Sequence, residues 1–448
     1  MTHGNNTGRS GSLVLVIGEL WPQASRLALA ARDAGFHVHV VAPRSHSIAR
    51  LKWVKSLGVY SQLQPTRSVA RALNTRPFDL VIPTDQVSSD ALFEAYMAGR
   101  LNGTTAAAVR RSLGDPSTFP IRSARAVVAE IAASAGVSAP RTWAVPDEDS
   151  LALILREAGL PAVLKSDGSY GGRGVIVVND EAGATAAYRA LSRAPRTPDG
   201  LGWLLPEYDG SRPSRSRLWS RPVVTLQEFV YGGPATLAAV AWEGEIIGSL
   251  GFRVVSTWSQ RGPATVVEPI QHPDLDRAAA ALARGLGLSG LFGLDFILSH
   301  DRSTASLLEL NPRAVPTAHL RLPWQTRPLF HLLADRIGVD PPSPLPPLPA
   351  DPIALFPQAW GGGPGNPSVP YGESDVPDAE DVAELCLEPM VDGLRAKVTK
   401  RIMRIGVSHQ PPPGLDAAAA ARYRWLQPTD LTSVKESLPE GGTRERVP

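Results

Sequence analysis

The sequence predicts an α/β domain followed by an α+β module, and three observations carry that expectation. At the N-terminus an apolar run, a helical stretch and a second apolar run follow one another (LVLVIG, ASRLALAARDAG, FHVHVVAP). Further on, a glycine-rich stretch, KSDGSYGGRGVIVV (165–178), lies between two strand-like runs. Later still, LFGLDFILSHDRSTASLLELNPR (291–313) reads as two strands joined by a polar turn.

Each element follows from its pattern. LVLVIG is continuously apolar and ends in glycine, as a buried parallel strand does. The stretch after it has helical spacing and closes on Gly35, a terminal glycine cap. With FHVHVVAP it makes a β-α-β unit. FDLVIPTD (78–85) predicts a later strand of the same sheet, with Pro83 near its end, where an open α/β sheet carries ligand loops. The first turn, GELWPQAS, lacks GxGxxG, which argues against a dinucleotide there. Residues 1–115 are therefore assigned to an N-terminal Rossmann-like domain. Residues 116–140 read as a helical connector that stops at Gly136 and Pro140. Residues 116–340 form the second module, interrupted at 193–221 by a long loop rich in Pro, Ser, Gly and Arg. DLDRAAAALARGLG (274–287) is a helix. PPSPLPPLPADP opens a proline-rich linker and C-terminal appendage over 341–448.

Composition narrows the function classes. A chain of 448 residues with 43% hydrophobic and 20% charged residues has the profile of an ordinary enzyme. A formal charge of +2 gives no reason to expect nucleic acid. The single cysteine, Cys386, excludes an internal disulfide and a cysteine-cluster zinc site. No signal-like apolar core and no apolar run of membrane-spanning length are visible, so the expected location is cytoplasmic.

The glycine stretch is a hairpin flap rather than a Walker or Rossmann loop, because a strand and not a helix follows it. Such a flap can still bind phosphate, since glycines let backbone N–H groups approach an anion. Lys165 at the strand end supplies a cation, and Ser166, Ser169 and Arg173 supply further donors. Taken alone, it is equally a glycine-rich hairpin with a surface lysine.

The acidic strands say more. With the turn centred near Arg302, Asp295 falls opposite Glu309, and Glu309 shares its face with Asn311. Two carboxylates facing each other repel unless compensated. Magnesium, a hard cation that takes carboxylate and amide oxygens, resolves this. In VVTLQEFVYGG (223–233) a strand breaks into a glycine pair, a hinge beside a ligand, with backbone groups of Glu228 to Val230 placed to read an adenine edge.

In this order the three stretches resemble the ATP-grasp superfamily, over residues 117–328. LPAVLKSDGSYGGRGV is similar to the family's strand lysine and glycine-rich flap, LQEFVYGG to its adenine hinge, and GLDFI with LLELNPR to its metal-binding strands. The resemblance implies two α+β subdomains holding ATP between them, behind a pre-ATP-grasp domain. It implies Lys165 on the α/β-phosphates, with Ser169, Gly171 and Gly172 of the flap and Gln227, Glu228, Phe229 and Val230 of the hinge around the nucleotide. It implies Asp295, Glu309 and Asn311 on magnesium (or manganese), and Arg313 near the transferred phosphate. The implied reaction activates a carboxylate as an acyl phosphate, releases ADP, and lets an amine attack. Two departures stand out. Gly233, Pro234 and Ala235 occupy the place of an acidic ribose ligand, and the connector carries Arg122 and Arg125 but no first lysine.

The expected partners are a small-molecule carboxylate and amine, with an amino acid or peptide-like metabolite as the guess by analogy and with room for an oligomer. Arg253, Arg313, His319 and Arg321 are candidate substrate contacts. A phosphotransferase and a non-catalytic ATP-binding regulatory or scaffold protein are the competing readings; intact Lys165, Asp295, Glu309 and Asn311 argue against the latter. DGLRAKVTKRIMRIG (392–406) has one apolar helical face, expected to pack on the protein itself rather than on a membrane, with no essential part in the chemistry.

Overall fold

The computed structural model describes residues 9–167, 174–192, 223–257 and 263–342, and parts of 344–382. The flap tip at 168–173, the loop expected at 193–221, Cys386 and the tail at 392–406 lie outside the described residues.

The N-terminal layer is a parallel sheet. Strands β1 (Gly11–Val16), β2 (Phe36–Ala42), β3 (Lys55–Val59) and β4 (Leu80–Pro83) run in the order β3-β2-β1-β4. Leu13 to Val16 are wholly buried, which is why the sequence there is continuously apolar rather than alternating. Helix α1 (Gln23–Asp33) returns the chain from β1 to β2 and ends at Gly35, whose φ of +86° suits glycine. Helices α2 (Pro65–Leu73), α3 (Gln86–Met97) and α4 (Gly103–Leu113) complete the layer.

Behind the connector helix α5 (Arg125–Ser134) comes a small four-stranded antiparallel sheet, order β5-β8-β6-β7. It comprises β5 (Thr142–Val145), β6 (Ala162–Ser166), β7 (Val175–Val178) and β8 (Val224–Glu228), with α6 (Glu148–Ala158) and α7 (Glu181–Leu191) packed on it. β6 and β7 form the expected hairpin, with Lys165 opposite Val175. A larger sheet of seven strands follows, order β13-β12-β9-β10-β11-β14-β15. Its strands are β9 (Gly233–Trp242), β10 (Glu245–Thr257), β11 (Ala264–Ile270), β12 (Gly290–Leu298), β13 (Ala305–Asn311), β14 (Ile353–Ala354) and β15 (Glu373–Ser374). Helix α8 (Pro273–Gly285) covers one face and α9 (Leu329–Arg336) packs on β9 and β10.

The two parts meet closely. Gly290 has φ +74°, and a Cβ there would lie 2.1 Å from the Ser112 carbonyl oxygen, so only glycine lets the start of β12 reach the end of α4. The Ala314 N–H donates to the Pro83 carbonyl (3.0 Å), and the Ser89 hydroxyl to the Pro312 carbonyl (3.0 Å). The exit of β13 is thereby fixed to the C-terminal edge of the parallel sheet. Residues beyond the proline-rich stretch also return: β14 pairs with β11, and Ile353, Leu355 and Phe356 are buried. Among the described residues, no helix is long and apolar enough to cross a membrane.

A candidate nucleotide and metal site

Three elements bring charged groups to one point. β12 and β13 pair antiparallel around a turn in which Arg302 adopts φ +58°, and Asp295 is register partner to Glu309. The register shifts just after Asp295, so Leu308 is the extra residue of a bulge beside the acidic pair. The Asn311 amide donates to Asp295 Oδ2 (2.9 Å). Burial and the facing Glu309 push the Asp295 carboxyl up to about 6. Glu309 stays below the usual carboxylate range despite burial, because the charges of Arg125 and Lys165 lie beside it.

Arg125 is the first residue of α5, which packs on β13. Its Nε and Nη2 donate to Glu309 Oε2 (3.0 and 2.9 Å), and its Nη1 to the Ser166 carbonyl (2.8 Å) and Asp167 Oδ1 (3.4 Å). The guanidinium thus ties α5 to both β13 and β6. Burial would weaken its proton affinity, but Glu309 and Asp167 outweigh that and raise it. Lys165, on β6, is 5% exposed. Burial pushes its ammonium down to about 8, although Glu309, Asp295 and Asp167 all pull it up. Arg313 completes the group: its Nη2 donates to Asn311 Oδ1 (3.3 Å), while its Nε is buried with no protein partner.

This donor set fits a hard divalent cation. Two carboxylates and an amide side chain share one face, and burial first, then the facing Glu309 charge, raises the Asp295 carboxyl, a cost that such an ion offsets. Asn311 now turns its nitrogen to Asp295, and a half-turn of the amide presents the oxygen instead. Among the described residues, no three or more His, Cys, Asp or Glu are placed to hold one metal ion together, so the candidate donors are two carboxylates and one amide.

The remaining expected site residues fall in different places. Ser169, Gly171, Gly172 and Arg173 are outside the described residues. Gln227 and Glu228 have protein partners for their side chains. The buried Gln227 amide donates to Thr142 Oγ1 (3.0 Å), and the Glu228 carboxylate is held by Arg141 (Nε to Oε1, 2.7 Å). The Glu228 N–H donates to the Arg141 carbonyl (3.0 Å). Tyr231 is exposed and meets Phe229 edge-on, with ring centroids 4.9 Å apart. Arg253 is ion-paired with Glu268 across β10 and β11.

His319 and Arg321 depart further. After Arg313 the chain makes a 3₁₀ turn over Pro316–His319 that packs along α1. The two side chains line a small cavity with Ala30, Asp33 and His331, at the C-terminal half of α1 and away from the acidic pair. Arg122 is structural: it donates to the Leu113, Asp115 and Leu286 carbonyls and stacks over Phe119. The arginine at the charged cluster is Arg125. Asp167 escaped the sequence reading although it stands two residues from Lys165; the pairing that reveals it, with α5, is long-range.

No family model matches the chain, and no curated protein sequence matches it either. Solved structures do. A carboxyaminoimidazole ribonucleotide synthase from Aspergillus clavatus, complexed with ATP, matches with TM-score 0.55 at 16% identity, over 88% of this chain and 99% of that one. The biotin carboxylase domain of a Hydrogenobacter thermophilus 2-oxoglutarate carboxylase, with MgADP and bicarbonate, gives 0.53 at 13% identity, over 73% and 69%. An N5-carboxyaminoimidazole synthetase from Staphylococcus aureus complexed with ADP gives 0.52 at 12%, over 78% and 82%. The chain has the ATP-grasp fold. At these identities the likeness is one of fold. Within this fold, the small sheet carries Lys165, the large sheet carries the acidic pair, and α5 links them through Arg125.

Proposed function

We propose that the chain is an ATP-dependent carboxylate–amine ligase that forms an amide or peptide-like bond through an acyl phosphate. The supporting observation is the convergence of Lys165, Arg125, Arg313, Asp295, Glu309 and Asn311 from both sheets and the connector. Lys165 and Arg125 are assigned to the phosphate oxygens, and Phe229 and Val230 to the base. Asp295, Glu309 and Asn311 are assigned to magnesium, or manganese. When bound, the ion supplies charge neutralisation at the β- and γ-phosphates. A carboxylate oxygen attacks the γ-phosphorus, the bond to the β–γ bridging oxygen breaks, and ADP leaves. The amine then attacks the acyl carbon, the bond to the phosphate oxygen breaks, and the amine proton passes to water. Arg313 stands beside the transferred group.

The test is ADP release over pools of carboxylates and amines. A ligase needs both substrates, a phosphotransferase needs one, and a scaffold releases none. In parallel, MgATP should raise the melting temperature more than ATP with a chelator, because only the former neutralises the acidic pair. Equal shifts would argue against the metal site.

The pH profile follows from two shifted groups. Asp295 must be ionised to hold a cation, so kcat/KM for ATP falls as pH drops through about 6. Lys165 must be protonated to hold a phosphate, so kcat/KM also falls as pH rises through about 8. A profile flat from pH 5 to 9 would remove both assignments.

A further inference from the structure

A second cluster of polar groups lies where the parallel sheet ends. The loop after β1 is held by Asp85, whose Oδ2 accepts from the Gly18 and Glu19 N–H groups (2.7 and 3.2 Å). That loop leads into Gln23, the first residue of α1. Gln23 is 3% exposed, and neither Oε1 nor Nε2 has a protein partner. One turn later on the same helix face, Arg26 Nη1 donates to the Phe356 carbonyl (3.1 Å). Phe356 stands two residues before Gln358, which is 5% exposed and whose Oε1 is also unpartnered. The Ala314–Pro83 hydrogen bond brings Arg313, with its unpartnered Nε, to the same sheet edge. This edge is where open α/β sheets place ligands.

Buried carboxamides without partners are unfavourable, because their water is lost and nothing replaces it. The whole Gln23 carboxamide and the Gln358 Oε1, joined through Arg26 and Phe356 at a ligand edge, have a reason if a ligand completes them. Their chemistry selects it. A carboxamide offers paired donors and acceptors without charge, so its complement is another amide or a hydroxyl. A phosphate monoester is better served by cations and N–H groups. We propose that Gln23 and Gln358 are the specificity-determining pair of the second-substrate pocket. The substrate they take is a small carboxylate bearing an uncharged hydrogen-bonding group, an amide or hydroxyl, with its carboxylate towards Arg313. This inference rests on the ligase reading for the chemistry at Arg313 but not for the binding at the two glutamines.

The experiment uses the full chain, MgATP and a panel: L-glutamine, L-asparagine, L-serine and L-threonine, against L-glutamate, L-lysine, L-leucine and ribose 5-phosphate, each with an amine pool. ADP release is expected with the first group. In Gln23→Leu and in Gln358→Leu, KM for that substrate rises at least tenfold while KM for ATP stays within twofold, since a site built to hydrogen-bond a group loses most when its own partner is removed. The free variants should also melt higher than wild type, because an apolar isostere replaces an unpartnered polar group. A lower melting temperature with unchanged KM would make the glutamines structural and overturn the inference, while the ligase reading stands. Release confined to ribose 5-phosphate or charged amino acids also overturns it. If no pool supports release, yet L-glutamine or L-asparagine raises the melting temperature of wild type and not of the variants, the inference holds and the ligase reading fails. Absence of both signals overturns both.

Discussion

Glu309→Gln lowers the rate of ADP formation by about a thousandfold, roughly 4 kcal/mol of barrier, and leaves the chain folded. The substitution keeps the shape of the side chain and removes one of the two carboxylate charges facing each other across β12 and β13. What remains is Asp295 and a pair of amides, too little negative charge to hold a divalent ion firmly against phosphate competition. The fold survives for a local reason. Arg125 loses an ionic partner but keeps Asp167 and the Ser166 carbonyl, and the new amide oxygen still accepts a hydrogen bond. A melting temperature within a few degrees of wild type, measured by circular dichroism, accompanies the lost activity. Retention of more than a tenth of the wild-type rate in excess magnesium would remove Glu309 from the metal site.

The acidic pair was legible because strands have a fixed side-chain period. A turn centred on Arg302 predicts Asp295 opposite Glu309, and that pairing is the one observed, but by another route: Leu298 pairs with Ala305, so unbroken register would put Asp295 opposite Leu308, and the bulge at Leu308 brings Glu309 there. The bulge after Asp295 was not legible, since one extra residue in β13 leaves the polar pattern around Glu309 and Asn311 unchanged. The parallel sheet was readable for a similar reason: strands buried on both faces must be apolar throughout, as Leu13 to Val16 are. What the pattern could not supply was any contact between distant segments. Arg122 and Arg125 look alike in the connector, three residues apart. Only the fold sends one to carbonyls under Phe119 and the other to Glu309. His319 and Arg321 follow Arg313 closely in sequence, but the 3₁₀ turn carries them along α1. Gln23 and Gln358 are ordinary residues in a sequence; burial, with the whole Gln23 amide and the Gln358 Oε1 unpartnered, is what singles them out.

Lys165→Met weakens ATP binding by about 1.5–3 kcal/mol, roughly ten- to a hundredfold in Kd, by removing a charge-assisted contact to phosphate. Methionine fills a similar volume on β6, so the buried strand keeps its packing where alanine would leave a cavity. The same variant reports on the free protein. Burial holds the Lys165 ammonium at about 8 in the folded chain, against 10.5 when exposed. Between these values the unfolded chain binds more protons, so this residue makes wild-type stability rise as pH climbs from about 8 to 10.5. Lys165→Met lacks that contribution, and the difference between wild-type and variant stability should shift across this window in favour of wild type. Bound ATP reverses the electrostatics, because phosphate anions favour the charged lysine. Nucleotide binding above pH 8 should therefore take up close to one proton in wild type and none from this position in the variant. Calorimetry in buffers of different ionisation enthalpy measures that uptake. Equal proton uptake and equal Kd in the two proteins would leave Lys165 as a buried structural lysine with no hold on the nucleotide.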